Sequence, residues 1–159
     1  MTVQCAESAG LPIRQAELCH ACAISGACRQ GIDDLRFLAD GVATGTFVVP
    51  PQAVGHTVAH GGWTAWVFDE FLGYAASQLQ GWAVTSELAI SYRRPVPIGA
   101  RVTVTVKGEV DGERRRLMGA EMRLAESGVL LAAAEGVWIA LPDMAAHYER
   151  AVTFASEKD

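Results

Sequence analysis

Apolar and polar residues change their spacing several times along the chain, and each change marks an element. From residue 63 to residue 79 there is no proline and one glycine, Gly73, and apolar residues fall on nearly every helical face. That pattern predicts a buried helix. Beyond Gly81 come four segments rich in β-branched residues, spanning 83–94, 101–110, 113–126 and 128–141. In the second, Arg101, Thr103, Thr105 and Lys107 alternate with Val102, Val104 and Val106, the two-residue period of a strand with one polar and one apolar face. Pro95, Pro97 and Gly99 separate the first two segments, while Asp111-Gly112 and Ser127-Gly128 separate the others and are hairpin signals. The four segments are expected to form an antiparallel meander. Upstream, LRFL and TGTFVV read as short strands joined by a turn over 39–45 and closed by Pro50-Pro51. An apolar sheet face needs a cover, and the predicted helix is the one large element able to supply it. The expected fold class is therefore α+β, a long antiparallel β-sheet wrapped around one central helix.

Three regions divide the chain: an irregular arm over 1–33, the sheet-and-helix domain over 34–141, and a tail over 142–159 whose first part suits a short helix. A length of 159 residues fits one domain, and 50% hydrophobic with 19% charged residues excludes a disordered or fibrous chain. The net charge is −5 and the largest basic cluster is Arg114, Arg115 and Arg116, so no nucleic-acid partner is expected. The start MTVQCAESAG lacks a basic stretch followed by an apolar run, and no apolar stretch reaches the length of a membrane span. A cytoplasmic protein with no membrane partner is the expectation. All four cysteines, Cys5, Cys19, Cys22 and Cys28, fall in the arm. Cys19-x2-Cys22-x5-Cys28 is half of a zinc pattern, with Cys5 or His20 as the available fourth ligand, but a single knuckle is short of a zinc site. Reduced thiols and no metal are expected.

The run HGGWTAWVFDEFLG over 60–73, followed by VTSELAISYRRPVPIG over 84–99, resembles the hotdog-fold acyl-CoA thioesterases of the PaaI-like group. In that family an HGG loop opens the central helix and an acid lies nine residues after the His, here His60, Gly61, Gly62 and Asp69. The resemblance extends over about 19–141 and implies a hotdog fold. It also implies hydrolysis of an acyl-CoA to free acid and coenzyme A, without a cofactor. The relatives use the backbone N–H of the first glycine, here Gly61, to hold the oxyanion, a role that suits a helix start with its free N–H groups and partial positive charge.

Asp69 stands in the middle of an apolar helix, where an unpaired carboxylate is costly, so it is expected to face a cavity, a partner or the substrate. The motif favours Asp69 over Glu70, which lies about 100° around the helix, as nucleophile or general base. His60 has the chemistry of a general base, although the resemblance implies that it shapes the loop. Some relatives carry a hydroxyl one turn after the acid, where Gly73 stands here, so Thr85 and Ser86 are the candidate hydroxyls. Gly62 and Arg94 complete the candidate substrate contacts, the latter as a partner for coenzyme A phosphates. Trp63, Trp66, Phe68 and Phe71 are candidates either for an acyl pocket or for core. Gly61 and Asp69 are separated by about 12 Å of helical rise, so a second helix must participate and a homodimer or homotetramer is expected. The alternative is a non-catalytic acyl-CoA or acyl-carrier binding protein on the same scaffold.

Overall fold

The structure, a computed structural model, describes residues 32, 35–39, 41–53, 55–79 and 81–156. The cysteine cluster, and with it the question of zinc, lies outside the described residues. Two short strands, β1 (Arg36–Ala39) and β2 (Val42–Val48), precede a single 3₁₀ turn at Pro51–Ala53 and the main helix α1 (Gly61–Gln78). Four longer strands follow, β3 (Ala83–Tyr92), β4 (Arg101–Asp111), β5 (Arg115–Leu124) and β6 (Leu130–Ala140), and then a second helix, α2 (Met144–Ser156). All strand pairings are antiparallel, in the order β1-β2-β4-β5-β6-β3.

The meander expected from the sequence holds for β4, β5 and β6 only. β3 leaves its neighbour in sequence and pairs with β6, with Leu88 opposite Gly136 and Tyr92 opposite Ala132. Pro95 and Pro97 explain this, because a connection that removes two backbone donors does not close a tight hairpin. The vacated side of β4 is taken by β2, with Ala43 opposite Val106 and Phe47 opposite Val102. The first turn is also shorter than the expected 39–45: β1 ends at Ala39, β2 begins at Val42, and Gly41 takes the positive φ of 76° that a tight turn requires.

The inward faces of the strands supply Phe47, Val102, Val104, Val106, Met118, Met122 and Trp138, all buried against Val67, Phe68, Phe71 and Leu72 of α1. Each fully buried side chain of this size contributes about 1.5–3 kcal/mol. Ala120, Ala132 and Ala134 are small enough to let the helix lie close to the sheet. At Gly136 a Cβ would overlap the Glu87 carbonyl and the Trp138 ring, so this glycine lets the indole fold back across its own strand. One stripe of α1 remains half-buried or exposed: Gly62, Trp66, Asp69, Glu70, Gly73 and Ser77, spaced three and four apart. That stripe carries both acids of the helix. The sheet ends on one side in the four-residue β1 and on the other in the ten-residue β3, whose outer edge has no strand partner among the described residues.

Candidate active site

The start of α1 is built from the HGG run. His60 is the N-cap, with extended φ/ψ of −64° and 140°, and its Nδ1 accepts the Gly62 N–H at 2.9 Å. The N–H groups of Trp63 and Thr64 donate to the His60 carbonyl at 3.0 and 3.2 Å. Of the donors in this first turn, only the Gly61 N–H has no acceptor among the described residues. The loop is pinned by His60 N–H to Ala53 O and Ala59 N–H to Val96 O, both 2.7 Å, and by Tyr92, whose hydroxyl donates to Gly61 O at 3.0 Å. Tight packing explains one of the two glycines. A Cβ on Gly62 would lie 2.9 Å from His60 Nδ1 and push on the imidazole that caps the helix, whereas one on Gly61 would lie at an ordinary 3.6 Å from the Tyr92 ring. What the small size of Gly61 provides is access to the backbone at the positive end of the helix.

Two turns further on, Asp69 Oδ1 accepts a 2.7 Å hydrogen bond from Thr85 Oγ1. A bulge in β3 decides which of the two candidate hydroxyls reaches it. Thr85 pairs with Trp138 and Glu87 with Val137, so Ser86 is the extra residue, exposed and without a hydrogen bond to Asp69. Asp69 and Thr85 open onto a cavity of about 730 Å³, walled also by Gly73, Trp82, Trp138 and Tyr148. Glu70 lines the same cavity. Direction around the helix therefore separates the two acids less than expected, and the Thr85 hydroxyl is what distinguishes Asp69.

The remaining candidates lie apart from this pair. His60 has one ring nitrogen committed to the cap, and Arg94 is exposed with Nη1 donating to Leu130 O at 2.9 Å. Trp63, Phe68 and Phe71 are core, and only Trp66 of the four aromatics lies on the half-buried stripe. Two residues that the sequence reading passed over belong to the site, Tyr92 against Gly61 and Trp138 beneath Gly73. Strand alternation places both on the helix-facing side once the β3–β6 register is known. A groove of about 790 Å³ on the other side of the sheet, lined by Glu87, Lys107, Glu109 and Glu135 among others, lies away from Asp69 and the helix start.

Residues 56–132, from the capping loop to the start of β6, match the family model described as Thioesterase superfamily. The structure is similar to that of the Escherichia coli PaaI protein from the phenylacetic acid degradation operon, with a TM-score of 0.65 and 26% identity over 76% of this chain and 84% of that one. A conserved protein from Pseudomonas aeruginosa gives a TM-score of 0.66 and 27% identity, over 82% of this chain and all of the other. A hypothetical thioesterase from Streptococcus pneumoniae, solved with coenzyme A, shares the fold at 20% identity and a TM-score of 0.62, over 67% and 83% of the two chains. No curated protein matches the chain. With its six-stranded sheet around α1, the chain is a hotdog-fold protein. In its HGG loop, its Asp69 and these similarities the chain resembles the PaaI-like hotdog thioesterases.

Proposed function

We propose that the chain hydrolyses a thioester, the general chemistry that the family-model match and the PaaI-like similarity support, that the substrate is an acyl-CoA released as free acid and coenzyme A, and that each site is shared by two chains. The observation that carries the reading is the pairing of one uncommitted N–H, on Gly61 at the helix start, with one carboxylate, Asp69, held by Thr85 on the same helix. A thioester carbonyl needs both within reach, and about 12 Å of helical rise between them keeps one chain from supplying both. A second copy does so when its α1 lies alongside. The ten-residue edge of β3 next to the stripe, without a strand partner among the described residues, is the surface on which a second copy would dock.

In this reading the Gly61 N–H of one chain donates to the carbonyl oxygen and stabilises the negative charge that develops there. Asp69 of the other chain either takes a proton from the attacking water, after which the C–S bond breaks and the coenzyme A thiolate leaves with that proton, or attacks the carbonyl carbon itself, so that the C–S bond breaks, the thiolate takes a proton from water, and a second water hydrolyses the acyl-aspartyl anhydride to free acid and regenerated Asp69. Thr85 donates to one carboxylate oxygen and fixes the direction of the other. Arg94, two residues past the end of β3, has guanidinium donors beyond Nη1 to offer to a phosphate. In this reading the reaction takes place in the cytoplasm. None of the described helices is long and apolar enough to cross a membrane. The test is release of free thiol from a panel of acyl-CoAs. Turnover supports the reading, whereas saturable binding without thiol release makes the protein an acyl-CoA binder instead.

A further inference from the structure

The cavity beside Asp69 contains a hydrogen-bond donor that the proposed reaction does not use. Trp138 is 1% exposed, yet its indole Nε1 has no hydrogen-bond partner among the described residues and is not among the sealed polar atoms of the core. A Cβ built on Gly73 would lie 3.2 Å from that nitrogen, and both residues line the cavity. Gly73 therefore acts as a window: any other side chain there would crowd the N–H, and glycine leaves it open to whatever fills the space. The indole is fixed in place, since its ring packs across Gly136 and its strand position is opposite Thr85.

We propose that Trp138 is a specificity residue whose N–H reads an oxygen on the acyl group, so that the cavity takes acyl chains with a keto or hydroxyl oxygen close to the thioester. This rests on the preceding reading, in which the thioester carbon lies at Asp69. Indole N–H only donates, so its complement is an acceptor and not an amine. Gly73 is one helical turn beyond Asp69 on the same face, about 5–6 Å on. With a hydrogen bond of about 2.9 Å, the acceptor falls about 3 Å past the thioester carbon, the reach of an oxygen on the third acyl carbon. An acyl chain without that oxygen displaces water from the N–H and leaves it unpaired, and a site of this kind discriminates strongly against such an analogue.

Two thioether probes that cannot be hydrolysed, S-butyl-CoA and S-(3-oxobutyl)-CoA, test this by calorimetry on the full chain. The wild type is expected to bind the oxo probe about tenfold more tightly or better. In Trp138→Phe that ratio falls to about one through loss of affinity for the oxo probe alone. Gly73→Ser, which closes the window while keeping Trp138, is expected to do the same and serves if Trp138→Phe fails to fold. No discrimination by the wild type, or equal weakening of both probes in the variants, overturns the proposal. Because binding is read without turnover, discrimination in a protein that releases no thiol from any acyl-CoA sinks the hydrolase reading and leaves this one standing. Absence of binding by either probe overturns this proposal, while thiol release alone decides the hydrolase reading.

Discussion

Replacing Gly61 by proline removes one N–H and little else. Gly61 is the first residue of α1, where proline's fixed φ is accommodated and its missing donor has no intrahelical partner to lose. The preceding residue, His60, has ψ of 140°, inside the range that a following proline demands. The substituted Cβ meets the Tyr92 ring at 3.6 Å, an ordinary contact. Removing glycine also restricts the unfolded chain, so stability is expected to change by no more than about 1 kcal/mol, in the favourable direction if any. Catalysis should respond very differently. Loss of one oxyanion donor costs about 10²–10³-fold in turnover, so thiol release should fall by that factor with a much smaller change in KM. Gly61→Ala keeps the N–H and should stay within about tenfold of wild type. The assay is thiol release on variants shown by melting and sedimentation to match the wild-type fold and assembly. A folded Gly61→Pro protein with near-wild-type turnover would refute the oxyanion assignment.

Asp69→Asn keeps shape and removes charge, and should lower turnover by about 10²-fold or more, whereas Glu70→Gln should stay within about tenfold; the reverse order would show Glu70 to be the working acid. Thr85→Val removes the 2.7 Å hydrogen bond to Asp69 and should reduce kcat by about 10–10²-fold, while Thr85→Ser restores most of it; equal effects of the two changes would mean that Thr85 acts through packing. His60→Ala loses the N-cap and should cost about 0.5–2 kcal/mol in chemical denaturation, with His60→Asn recovering much of it.

The helix and the alternating strands were legible in the sequence because their patterns are local. α1 differs from its expected span by two residues at the start and one at the end, and β4 by a single residue. The position of β3 was not legible, because strand order depends on which edges the connections allow, and the segment from Arg93 to Ala100 states only that a tight hairpin is excluded. The site followed the same division. His60, Gly61, Gly62 and Asp69 stand on one continuous run and could be read as a motif. Tyr92 and Trp138 enter only through the β3–β6 register, and the choice of Thr85 over Ser86 turns on a one-residue bulge that no composition or period announces.

The central claim is that one chain supplies Gly61 and another Asp69, and mixing two damaged chains tests it most directly. Gly61→Pro and Asp69→Asn chains are each expected to be nearly inactive alone. When co-expressed so that dimers form at random, half are mixed, and each mixed dimer contains one intact and one doubly damaged site, so thiol release should recover to about one quarter of wild type. Activity no greater than the sum of the two parent proteins, with mixed dimers demonstrated in the sample, would contradict a site shared between chains.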